Sequence, residues 1–191
     1  EYILVLNPDT KVEKTLISTL IRKIGNKGNV GAVGPKLKFF KNKNAGLLNS
    51  TGLIYDGFMQ AYDRGFMEKD LGQFDKDKYM FGVSGACILY SSIMLKDIGL
   101  YWTKIKLHLD EVELFIRARK KRWKVLYTYE TTVYHKYMQS TNQNKRYKIE
   151  RAKNKAWFWI ALRHYGLRSK LAIIKYLIHD KKNNKILKVS A

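Results

Sequence analysis

The chain has one cysteine and two prolines, and it is poor in acid, with 16 Asp and Glu against 37 Lys and Arg. A lone thiol, Cys87, cannot close an internal disulfide, which points to a reducing compartment. It sits in the apolar run "SGACILY" and reads as a small buried hydrophobe. Few prolines and thirteen glycines exclude a fibrous or low-complexity chain. There is no internal repeat, and the opening residues do not read as a secretory signal. Long apolar runs are also missing. The longest uncharged stretch, Tyr79 to Leu95, falls short of a bilayer span and carries two Gly and three Ser. A buried strand leading into a helix accounts for it better.

What is present is apolar residue in plenty, 46% of the chain, and a formal net charge of +21. The first gives 191 residues enough material for one domain with a core and argues against disorder. The second is uneven. Asn142 to Ala191 holds fourteen Lys or Arg and two acids, Glu150 and Asp180. Such a field attracts anions: nucleic acid, phospholipid headgroups or diphosphates. It also serves solubility alone.

Tyr2 to Leu6 is apolar on both faces, as in a central, doubly covered strand. From Thr10 to Ile24 the apolar positions follow helical spacing, ended by "GNKG". "VGAVGPKLKFF" reads as a strand with a turn at Gly34-Pro35, and "TGLIYDG" as a short strand. Asp56 to Asp77 has no clear period and reads as a long, functional loop. Tyr79 to Tyr90 reads as one buried strand and Ser91 to Ile98 as a short helix. Asp110 to Arg122 reads as a longer helix, with Val112, Leu114, Phe115 and Ile116 inside. Trp123 to Thr128 and Thr131 to His135 read as two strands. The rest is helical, with Leu167, Leu171, Ile174 and Ile178 on one face and basic residues opposite. The expected fold is α/β, with residues 1–141 as a sheet domain and 142–191 as a basic amphipathic helical tail.

Four sites stand out. Asn7-Pro8-Asp9 ends the first strand; taken alone it is a turn, but an Asp there also suits a hard cation holding a diphosphate. Asp110, Glu111 and Glu113 open a helix. They either cap it and complement its dipole or supply a general base. His135 ends a strand, and with Asp9 beside it would suit Mn²⁺. Trp157, Phe158 and Trp159 lie among basic residues, which fits an interfacial membrane helix or core packing.

The order of "LVLNPDT", "VGAVGPKL", "SGACILY", "LDEVELFIRARKKRWKVLYT" and "VYHKYMQST" resembles the family 2 glycosyltransferases, most closely their rhamnosyltransferase-like branch. The resemblance runs from Glu1 to about Thr141. It implies a GT-A fold, a Rossmann-like mixed sheet, and inverting sugar transfer from a nucleoside-diphosphate sugar, with dTDP-rhamnose as a candidate donor. The acceptor would be a polysaccharide or lipid-linked glycan. Asp9 would hold Mg²⁺ or Mn²⁺, His135 would complete the metal site, and Asn7 would sit beside the diphosphate. Register makes Glu111 the base, with Asp110 as the alternative, because the usual Glu-Asp order is reversed here. Arg117 and Trp123 match positions in the following helix and turn. The family's first nucleotide-binding βαβ units would precede Glu1, so the chain is expected to be a truncated fragment, impaired on its own. It would work in the cytoplasm, peripheral at the inner membrane face, its tail on anionic lipid, without nucleic acid. The alternative is a non-catalytic basic protein that binds nucleic acid or anionic surfaces.

Overall fold

The computed structural model describes residues 1–25, 28–40, 44–57, 60–105, 108–136, 143–167, 170, 171 and 175. They form an α/β protein divided into two compact units. One comprises Glu1–Tyr101 and Leu114–Ser140, the other Trp102–Glu113 and Thr141–Ala191. The second unit therefore takes in Trp102–Glu113 as well as the tail expected from 142 onward.

The first unit is built on a mixed sheet. Its strands are β1 (Tyr2–Leu6), β2 (Thr10–Val12), β3 (Val30–Phe39), β4 (Leu48–Ser50), β7 (Lys78–Met80), β8 (Cys87–Ser91) and β9 (Lys124–His135). The main order is β1-β8-β3-β9-β2, with β4 on β3 and β7 on β9. Only β3 and β9 run parallel; the other pairs are antiparallel. Separately, β5 (Leu53–Tyr55), in the expected short strand, pairs with β6 (Ala61–Asp63), which lies inside the expected loop.

Helix α1 (Leu16–Gly25) lies on this sheet. Leu16, Leu20 and Ile24, at helical spacing, meet Val33, Leu37 and Leu126 in a buried cluster. Each such side chain contributes roughly 1.5–3 kcal/mol by leaving water. A second packing set joins Phe115 to Phe81 and Tyr90. Phe115 belongs to α3 (Asp110–Lys120), and α2 (Ser92–Ile98) precedes it. A Cβ on Gly82 would fall 2.3 Å from the Phe115 ring, so only glycine admits that ring here.

Several sequence expectations are corrected. Tyr2 to Leu6 is not a central strand: it stands at the end of the sheet order, and Ile3 is 46% exposed. Thr10 to Val12 is strand, not helix, because its backbone pairs with β9 up to His135. Gly34-Pro35 is no turn. β3 runs through it, and the ladder to β9 shifts register at Pro35/Lys36, where a missing amide donor is tolerated. The same shift makes β9 one strand rather than two. Tyr79 to Tyr90 is two strands, β7 and β8, separated by Phe81 to Ala86.

The expected functional loop is tied down by charge. Asp70 accepts from Lys36 and pairs with Lys38, and Asp75 also pairs with Lys36. Asp77 pairs with Lys23 of α1 and accepts from Thr128. Arg122, just after α3, holds φ at 61°. That left-handed position suits glycine, and a side chain there costs roughly 1–2 kcal/mol.

In the second unit, α4 (Gln143–His164) buries Ala156, Trp157, Ile160 and Ala161. Trp157 is 6% exposed, so it packs rather than meeting a membrane. Leu167 and Leu171 are exposed; Ile174 and Ile178 lie outside the described residues. Among the described residues no helix is long and apolar enough to cross a membrane.

Candidate functional site

In the first unit the start of β2 and the end of β9 meet through their backbones. Thr10 faces His135 across the β2–β9 ladder, and the Lys136 amide donates to the Asp9 carbonyl at 3.0 Å. The Thr10 hydroxyl donates to the Asn7 carbonyl at 2.7 Å, and the Asn7 amide donates to Ala86. The turn at Asn7-Pro8-Asp9 is thus fixed at both ends.

This framework brings Asp9 and His135 together, 126 positions apart in the chain. His135 Nε2 stands 3.2 Å from Asp9 Oδ1. Its Nδ1 stands 2.9 Å from Oδ1 of Asn49, a buried residue on β4. His135 is buried, whereas the Asp9 side chain is 45% exposed. Burial pulls the imidazole below its ordinary value, and the neighbouring Asp9 opposes that pull. A neutral ring has one N–H, yet two oxygens face its nitrogens. With Nδ1–H donating to Asn49, the Nε2 lone pair faces a carboxylate. A cation between them satisfies both; in the other tautomer Nε2–H donates to Asp9 instead.

The donor set therefore fits a divalent cation. An N···O separation of 3.2 Å is close to the roughly 3 Å edge of an octahedron with bonds of about 2.1 Å. Among the described residues no group of three or more His, Cys, Asp or Glu is placed to hold a metal. Two protein ligands suit Mg²⁺ or Mn²⁺ that keeps waters or takes substrate phosphates. The contact between His135 and Asn49 carries no sequence signal, because β4 reaches His135 only through the β3 ladder.

The acid cluster lies in the second unit. Two successive residues before it, His108 and Leu109, have φ of 60° and 63°. Backbone held in this region by non-glycine residues gathers at functional sites. Asp110 and Glu111 are half-buried. Glu113 is not open to any substrate. It is fully buried, with Arg163 at 3.1 Å and His164 at 2.8 Å. Arg163 also lies over the Trp102 ring, 4.6 Å from its centroid. Glu113 is thus the structural member of the three, joining α4 to the Trp102–Glu113 segment. His108 is pulled down by burial and by Lys153, against Asp110 and Glu150.

Arg117 and Trp123 are structural as well. Arg117 donates to the carbonyls of Ile98, Gly99 and Leu100, satisfying the end of α2. Trp123 donates to Asp97 at 2.8 Å. Cys87 is buried, and its thiol is pushed up to about 12, which makes it inert.

Against known proteins, no family model and no curated protein matches the chain.

Proposed function

We propose that the chain is part of an inverting glycosyltransferase of GT-A type. It would act on a nucleoside-diphosphate sugar and a glycan or lipid-linked acceptor at the inner face of a membrane. The observation that carries this reading is the Asp9–His135 pair, 3.2 Å apart where an Asn-Pro-Asp turn ends a strand. An exposed carboxylate and a buried, neutral imidazole suit Mg²⁺ or Mn²⁺, and the cation when bound would offset charge on the leaving diphosphate. Asn7, held by the same turn, is the residue assigned to the diphosphate.

Glu111 takes the acceptor proton, with Asp110 supporting the helix start. Glu113, already paired with Arg163 and His164, has no role in that step. The reading is tested by sugar transfer from a panel of nucleoside-diphosphate sugars with Mn²⁺ present. We expect Glu111→Gln to lower turnover by roughly 10²-fold or more. Asp110→Asn should cost less. A larger loss with Asp110→Asn moves the base by one residue; no loss with either removes the acid cluster from the chemistry.

A further inference from the structure

The C-terminal end of α3 carries more positive charge than its dipole calls for. There, within the first unit, a cleft of about 280 Å³ is lined by Arg119, Arg122 and Lys124, with Tyr79 and Trp123. Among the described residues no acid lines it. Asp97 accepts from Trp123 Nε1 and pairs with Lys121 at 3.2 Å. Lys124 Nζ sits 5.2 Å from the Tyr79 ring centroid, so the aromatic face seats the ammonium. Arg122 takes a left-handed backbone that glycine would take without strain. Arg119 is shared with a second cleft of about 390 Å³, which has Tyr55 and Phe81 on its walls and Asp56 beside them.

We propose that these two clefts bind an acidic glycan chain, one bearing carboxylate or phosphate groups at intervals. The anionic group would sit among Arg119, Arg122 and Lys124. The adjoining neutral sugar would lie against Tyr55, its hydroxyls donating to Asp56. Single-stranded nucleic acid fits less well for two reasons. It carries a phosphate at every unit, and one would meet Asp56. Its bases need open ring faces, whereas Phe81 is buried and Arg119 lies 6.0 Å from its centroid. The choice of a glycan rests on the glycosyltransferase reading; the choice of an anion rests on the cleft alone. β9 runs from Lys124 beside this cleft to His135, so the two sites lie at opposite ends of one strand, roughly 30 Å apart. The cleft would therefore hold the glycan chain at a distance from the reacting sugar.

The test is calorimetric titration of the full chain with a hyaluronan oligosaccharide, in which uronate alternates with a neutral sugar, with a neutral malto-oligosaccharide of equal length, and with oligo-dT. We expect the hyaluronan oligosaccharide to bind, to weaken as salt rises, and to outcompete both other probes. Arg122→Gly removes the cation and relieves the backbone, so it should weaken binding about tenfold while the melting temperature holds or rises. Lys124→Gln should weaken binding similarly. Tighter binding of oligo-dT would overturn the glycan assignment. No binding of the hyaluronan oligosaccharide, or binding unchanged in both variants, would overturn the site. Mn²⁺ binding at Asp9 and His135 is read separately, so failure here leaves the catalytic reading to its own test.

Discussion

At the scale of single residues, His135 decides most. Its imidazole sits below the ordinary 6.5 because it is buried. Between the folded and ordinary values the unfolded chain therefore binds more protons than the folded one. The stability that the neutral ring contributes is present above about pH 6.5 and is lost as pH falls below it. Denaturant midpoints at pH 7.5 and pH 5.5 should show a drop that is smaller in His135→Gln. An equal drop in both would place the titrating group elsewhere. Glu113 offers the complementary case. It is fully buried against the buried His164 side chain and the partly exposed Arg163, so Glu113→Ala leaves one buried partner unmatched and should cost roughly 1–3 kcal/mol. Glu111→Gln, at a half-buried position, should cost less than about 1 kcal/mol. Hydrogen exchange along α4 checks this: fast exchange in the first variant, protection in the second. The reverse order would exchange the roles of the two acids.

At the scale of elements, charge fixes what periodicity leaves open. Lys36 is 4% exposed and shares Asp70 with Lys38. These lysines hold the Asp70 carboxyl down to about 2, against burial that pushes it up. Its contribution is thus present above the ordinary 3.8 and is lost as pH falls toward 2. Asp70→Asn should destabilise by about 3 kcal/mol, with Asp75 limiting the loss. It should also flatten the acid side of the stability curve; an unchanged acid limb would mean the loop is held by packing alone. Helices α1, α2 and α3 were legible because each buries a stripe at helical spacing. Strands were less so. Thr10 to Val12 reads as the first helical turn, and only pairing with the end of β9 makes it a strand. β1 looks central because both its faces are apolar, yet sequence cannot say how many neighbours a strand has. Pro35 reads as a turn, and a long-range register shift admits it to β3. The pairing of Asp9 with His135 was legible in part: each ends an apolar strand. Asn49 was not, since nothing local marks a β4 side chain that meets β9.

At the scale of the whole molecule, the net charge of +21 is divided among distinct tasks. Lys23 and Lys36 are interior staples, Arg117 caps α2, and Arg119, Arg122 and Lys124 line the proposed glycan cleft. The tail from 142 carries fourteen Lys or Arg, the charge expected to meet anionic lipid, but Trp157 is buried in the second unit. Binding to vesicles containing anionic lipid should therefore fall steeply as salt rises and change little in Trp157→Phe. Equal sedimentation with neutral vesicles would remove the electrostatic membrane role. The central claim, that Asp9 and His135 together hold a divalent cation, has a direct spectroscopic readout. Electron spin echo of Mn²⁺ titrated into the full chain at pH 7.5 should show modulation from one imidazole nitrogen. That modulation should vanish in His135→Gln, and Mn²⁺ affinity should fall at least tenfold in Asp9→Asn. Nitrogen modulation that persists in His135→Gln, or Mn²⁺ affinity equal in Asp9→Asn and the wild-type chain, would contradict it.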